Sequence, residues 1–222
     1  MHDDGMPILV EQFHPDAWAQ LTRTFPCVSA QRRAPEVHPG EPLEFLLLDH
    51  LGWTSQVGRW GLRPAGPASA LSALQAPVEI LGAHRTFRDL LASGRCVIPL
   101  AAYWDAPTGT PDLPVRALVG PREPAPLYAA GVYQQEWTPR GLQFACAVVT
   151  RPAGPGLAGM FARMPALLRE EDLTVWMTAA PRDARVLARD GQRRRGGPHR
   201  VERARHGCRH ARFRRAVTVR GR

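Results

Sequence analysis

Two stretches of this sequence carry side chains that could do chemistry. The first is Arg95-Cys-Val-Ile-Pro-Leu-Ala-Ala-Tyr-Trp-Asp105, an apolar run with β-branched Val97 and Ile98 that ends on a carboxylate. A buried strand that delivers an acid to its rim presents a proton carrier. An Asp ahead of Pro107, Thr108 and Gly109 is also the ordinary start of a turn, and the residues alone leave both readings open. The second is Arg59-Trp60, a cation beside an indole at the end of another apolar stretch. That pair suits a phosphate and a stacked base, or equally the edge of a core.

Other chemistries lack their residues. Cys27, Cys96, Cys146 and Cys208 show no paired spacing of the zinc or redox kind, so they read as reduced thiols, and neither a metal nor a cofactor is implied. Cys96 and Cys146 sit in apolar strands where a small hydrophobe is wanted. His84 has no partner at ligand spacing. The sequence contains no Lys and no Asn, so an amine for Schiff-base chemistry would have to be the N-terminal one.

These candidates need a fold to hold them, and 222 residues suffice for one domain with a useful core. The net charge of +9 is unevenly placed. From Arg182 to Arg222 there are 15 Arg against Asp183, Asp190 and Glu202, a net +12; the remaining 14 Arg face 17 acids, a net −3. The division predicts a mildly acidic domain over 1–180 and an arginine-rich, disordered tail over 181–222. The tail either holds nucleic acid through counterion release or is the product of a shifted reading frame in a GC-rich gene. No apolar run approaches the roughly 18 residues of a membrane span, and the start lacks the order of a secretory signal. A cytoplasmic monomer with no membrane partner is expected.

Apolar periodicity supplies the elements. Pro15 to Phe25 places Ala17, Trp18, Leu21 and Phe25 on one helical face, with Asp16 in the first turn. Arg32 to Pro42 reads as an extended loop. Leu43 to Leu48, Ser55 to Leu62, Pro114 to Val119, Leu127 to Tyr133 and Leu142 to Thr150 read as strands separated by Gly and Pro signals. Ser69 to Leu74 reads as a weak helix, Gln75 to Leu81 as an extended piece, and Thr86 to Ala92 as a helix. Arg151 to Gly159 reads as a loop, and Glu170 to Met177 as a helix with Trp176 facing in. Together they predict an α+β fold: a mainly antiparallel, curved sheet or open β-barrel with peripheral helices.

Several pieces occur in the order of one known family. Arg59-Trp-Gly-Leu62, Phe87-Arg-Asp-Leu-Leu with Arg95-Cys96 and Pro99, Ala130-Gly-Val-Tyr133, and Arg163-Met-Pro165 before a helix with Trp176 together resemble the SRAP (SOS-response-associated peptidase) family, over about Ile8 to Thr178. Its members process abasic sites in single-stranded DNA. The resemblance implies abasic-site DNA–protein cross-linking and autopeptidase activity. An exposed N-terminal cysteine closes a thiazolidine on the sugar aldehyde, an asparagine and a histidine handle the sugar, and a glutamate shuttles protons.

The match departs from the family where chemistry is done. The proton-shuttling glutamate falls on Asp105, one methylene shorter, and the asparagine on Gln75, whose amide reaches from a longer arm. The phosphate-binding arginine falls on Pro77, whereas the glutamate after it is kept as Glu79. The histidine falls on Phe161, which transfers no proton, and the nucleophile's place is taken by Met6, the first cysteine being Cys27. The resemblance therefore implies a DNA-damage-response protein that binds single-stranded or abasic DNA with cross-linking lost. Asp105 and Gln75 remain as catalytic candidates, and Arg59, Trp60, Arg163 and Phe161 as DNA contacts. Two other readings stand beside it. Initiation at Met6 would expose Pro7, a secondary amine able to form an iminium, or the domain is a non-catalytic interaction module whose basic tail binds nucleic acid.

Overall fold

Leu43 to Leu48 is apolar except at Glu44, the composition of a strand covered on both faces, and it forms one wall of a barrel. The computed structural model describes residues 10–12, 14–28, 36–63, 73–105 and 117–190, and the backbone alone of 9, 115–116, 199–205 and 215–218. The chain opens with β1 (Leu9–Glu11), α1 (Pro15–Thr24), β2 (Glu36–Val37), β3 (Pro42–Asp49), β4 (Gly52–Trp60) and β5 (Gln75–Pro77). Next come α2 (Arg85–Ser93), β6 (Arg95–Leu100), β7 (Ala102–Asp105), β8 (Val115–Pro121), β9 (Leu127–Thr138) and β10 (Gly141–Pro152). The last are β11 (Arg163–Pro165), β12 (Leu167–Leu168), α3 (Leu173–Thr178), α4 (Pro181–Asp190), β13 (His199–Arg205) and β14 (Arg215–Thr218).

Five strands close on themselves. β3 lies between β4 and β6, β6 pairs β9, β9 pairs β10, and β10 returns to β4. Every pairing is antiparallel except β10–β4, because directions that alternate around an odd ring must meet once in parallel. At that seam Arg59 and Trp60 stand in register with Ala145 and Cys146. Side-chain alternation then sorts the two faces. Phe45, Trp60, Cys96, Ile98, Cys146 and Val148 fill the inside. Leu46, Val97, Val132, Ala147 and Val149 point out beneath the helices.

The helices cover that outer face with apolar stripes. Trp18 and Leu21 of α1, Phe87 and Leu91 of α2, and Leu173 and Trp176 of α3 are all buried there. Trp176 satisfies its indole by donating Nε1–H to the Cys96 carbonyl at 2.9 Å. The barrel and peripheral helices make the α+β architecture that the alternation predicts.

The stretch from Arg95 to Asp105 is one strand by composition and two in space. β6 belongs to the barrel and β7 to a second sheet ordered β14-β13-β8-β7-β1-β2. The chain changes sheets at Ala101, whose N–H donates to the Glu11 carbonyl at 2.7 Å. Hydropathy does not reveal such a switch, because the apolar run continues without a break from β6 through Tyr103 of β7, all of it buried.

Three other expectations are corrected. Extended backbone after Gln75 stops at Pro77, and Val78 to His84 turns. Arg151 and Pro152 belong to β10 rather than to a loop, and Arg151 is only 3 % exposed. Beyond Ala180 the chain does not lose structure at once: α4 buries Ala184 and Ala188, whose i, i+4 spacing makes a seam too narrow to stand out among arginines. Farther on, β13 pairs along all of β8. Most of the expected helix at Ser69 to Leu74, together with Met6, Pro7, Cys208 and Arg193 to Arg195, lies outside the described residues. No helix among the described residues is long and apolar enough to cross a membrane.

Candidate functional site

β1 runs antiparallel to β7, with Leu9 opposite Trp104, Val10 opposite Tyr103 and Glu11 opposite Ala102. The N-terminal strand therefore begins one residue pair from Asp105, the last residue of β7. Asp105 is half-buried there, in register with Ala117 of β8. The strand is pinned by Gln12, which sequence reasoning missed. Its Nε2 donates to the carbonyls of Glu44 (2.8 Å) and Pro99 (3.0 Å), and its Oε1 accepts from the Glu44 N–H at 3.0 Å. One buried amide thus ties β1 to β3 and β6, and a satisfied buried amide fixes register.

Tyr103, two residues before Asp105, was also missed. Its ring is wholly buried, and its hydroxyl has no hydrogen-bond partner among the described residues. Burial pushes the phenol well above its ordinary range; the Asp105 charge adds to this and the Arg151 charge opposes it. Tyr103 is therefore a neutral donor at any physiological pH.

Trp60 and Phe161 belong to the same buried cluster as Tyr103, and they are 0 % and 1 % exposed. Neither offers a face to a base, so direct DNA contact by Trp60 and Phe161 is not what this arrangement allows. Trp60 instead donates Nε1–H to the Leu74 carbonyl at 3.0 Å, which fixes the residue ahead of Gln75. Gln75 is half-buried on β5, alongside Val148 of β10. The cluster thus joins elements that carry Gln75, Asp105 and Phe161. A separate cavity of about 90 Å³ opens at the other end of β1 between Glu11, His14, Ala102, Gly120 and Arg122, and none of those three residues lines it.

The two arginines serve different ends of the barrel. Arg163 grips Glu79 with two parallel bonds, Nη1 to Oε1 at 3.1 Å and Nη2 to Oε2 at 2.8 Å, and also donates to the Thr150 hydroxyl and carbonyl. Burial raises the Glu79 pKa, but the Arg163 hydrogen bonds, a backbone bond and the Arg163 charge outweigh it and leave it below the ordinary value. Arg59 reaches Glu136 at 3.4 Å. Along β10, Arg59 is level with Ala145 and Arg163 with Pro152, a separation of about 23 Å at roughly 3.3 Å per residue. The two cannot hold the same phosphate.

No activated thiol stands among the described residues. Burial raises Cys96, with the Cys146 charge adding to it, and pushes Cys146 up to about 12 against the pull of Arg59. Cys27 is exposed yet still raised, first by burial of its sulfur. Nor do any three His, Cys, Asp or Glu among the described residues gather as metal ligands.

The sequence matches the family described as SOS response associated peptidase (SRAP) over residues 11–203. The abasic site processing protein YoqW of Bacillus subtilis is 23% identical over 185 residues, covering 81% of this chain and 79% of its own. YobE of the same bacterium, also an abasic site processing protein, is 23% identical over 81% of this chain and 80% of its own. A crystal structure of a Bordetella bronchiseptica protein superposes with a TM-score of 0.73 at 19% identity, over 90% of this chain and 99% of the other. One from Bacteroides thetaiotaomicron gives 0.61 at 17%, over 70% and 72%. With the barrel shared and the family match running through most of its length, this chain belongs to the SOS response associated peptidase (SRAP) family.

Proposed function

We propose that this protein acts in the DNA-damage response as a monomeric binder of abasic sites in single-stranded DNA, without the covalent link expected of its family. The observation that supports this most is the register of β1 on β7, which starts the N-terminal strand beside Asp105. An abasic sugar at that edge would meet the Asp105 carboxylate as proton carrier and the Gln75 amide as hydrogen-bond partner. Trp60 and Phe161 support the edge from within, and Arg163 braces it through Glu79. The family position of the thiol is Met6 and that of the imidazole is Phe161, so ring closure lacks both its sulfur and its base.

Fluorescence anisotropy with abasic and intact single strands and with duplex tests the reading. The abasic strand is expected to bind best, and Gln75→Ala is expected to erase its advantage over the intact strand. Equal affinity for all three would sink the proposal. Borohydride-dependent trapping, with intact mass placing the adduct on Pro7, would replace it with secondary-amine chemistry. Truncation after Asp190 spares α4: if single-strand affinity and its salt dependence vanish with the tail, the protein is instead an interaction module that binds through its arginines.

A further inference from the structure

Trp137 is 83 % exposed, an unusual position for the largest apolar side chain. It lies near the end of β9, opposite Leu142 of β10, which is itself 42 % exposed. β6 accompanies β9 only as far as Val132, so the hairpin runs on past that pairing. Its tip is tied: Thr138 Oγ1 donates to the Gly141 carbonyl at 3.0 Å and accepts the Arg140 N–H at 3.1 Å. Gly141 takes a φ of +99°, which the turn needs and a side chain would resist. The face that carries Trp137 and Leu142 continues inward through Phe144 to Tyr133 and Phe45, whose rings pack at 5.6 to 6.3 Å. The indole is thus presented on a braced aromatic stripe.

One arginine shares the tip with it. Arg140 at the tip is exposed and enters no ion pair among the described residues, whereas Arg63, whose carbonyl accepts from Gln134 Nε2 at 3.1 Å, lies on the opposite face of the hairpin. The nearby Glu136 is already engaged by Arg59 and Gln134. The β3–β4 turn, with Asp49, lies at the same end of the barrel. An exposed aromatic face with an arginine at the same tip matches a base beside a phosphate. A two-fold contact with a second copy would instead bring the Arg140 tips toward one another.

We propose that the tip of the β9–β10 hairpin is a stacking platform for single-stranded DNA: Trp137 takes one base on its face while Arg140 neutralises a neighbouring phosphate. This rests on the preceding reading that the partner is single-stranded DNA, and adds a second contact to it. Trp137 is level with Leu142 and Arg163 with Pro152, so about 33 Å of β10 separates the two ends at roughly 3.3 Å per residue. Only a strand long enough to span that distance engages both.

The test uses the full chain and abasic oligonucleotides, one of about 6 nucleotides and one of about 30, the longer also carrying 5-iododeoxyuridine for photocross-linking. Trp137→Ala is expected to weaken the long strand about tenfold, to leave the short one unchanged, and to abolish a cross-link mapped to Trp137 by mass spectrometry. Trp137→Phe retains most of the affinity, and Arg140→Ala lowers the salt slope by about one. The position is exposed, so thermal melting should not change. If Trp137→Ala binds the long strand like wild type and cross-links map only elsewhere, the platform is wrong while abasic preference still stands. If wild type binds no single strand, both readings fall. If Trp137→Ala dissolves a dimer seen by sedimentation with DNA affinity intact, the surface belongs to a second copy and the proposal is overturned.

Discussion

Gly131 of β9 stands in register with Cys96 of β6, and a Cβ at 131 would lie 2.7 Å from the Cys96 sulfur and 2.8 Å from Ile98 Cδ1. Real carbon atoms do not approach so closely, so the barrel wall closes here only because one partner has no side chain. Gly131→Ala is expected to destabilise the protein by about 1–3 kcal/mol. Cys96→Ala in the same chain should recover part of that loss, because it removes one of the two clashing groups. Urea denaturation of the four members of the cycle checks this; strict additivity would show that the two positions do not meet.

The Arg163–Glu79 pair is partly open to solvent, with side-chain exposures of 27% and 46%. Screening therefore limits Glu79→Gln to about 0.5–1 kcal/mol at neutral pH. Arg163→Ala should cost more, about 1–2 kcal/mol, because Thr150 also loses its donors. The folded pKa of Glu79 lies below the ordinary value, so its contribution is fully present above that value and fades as pH falls through the folded one. Acid denaturation of Glu79→Gln should accordingly be flatter than wild type below about pH 4.5. Parallel acid limbs would rule the pair out as a stabilising contact.

Trp176 joins α3 to the barrel through a single hydrogen bond to Cys96 carbonyl, and the Arg95 guanidinium lies 5.9 Å from its ring while donating to the Met177 carbonyl at 2.8 Å. Trp176→Phe keeps much of the apolar packing but deletes the donor. A loss of about 1–3 kcal/mol is expected in chemical denaturation. An unchanged midpoint would mean that the indole contributes only its area.

The thiols should separate by access. Cys27 is expected to alkylate slowly in the folded protein, its thiol being held above the ordinary range. Cys96 and Cys146 should react only after unfolding, because both are fully buried and protonated. Peptide mapping after pulsed iodoacetamide separates the three; early labelling of Cys96 would contradict the closed barrel.

Much of this protein was legible from residue order. Strands at Leu43 to Leu48 and Leu127 to Tyr133, the helix of Trp18 and Leu21, and the family likeness around Arg59-Trp60 and Arg163-Met-Pro165 depend on local period and motif, which a linear reading contains. The expectation that Met6 and Phe161 stand where the family has a cysteine and a histidine rests on the same motif likeness. Tertiary structure alone decided where the side chains of those motifs go. Trp60 and Phe161 became core, Arg163 turned to a carboxylate 84 residues away, and the stretch from Arg95 to Asp105 split between two sheets. It also set Leu9 across from Trp104 and left Trp137 in the open. Burial, strand pairing and charge partners are relations between distant segments, and hydropathy at one position carries no information about which segment will lie against it.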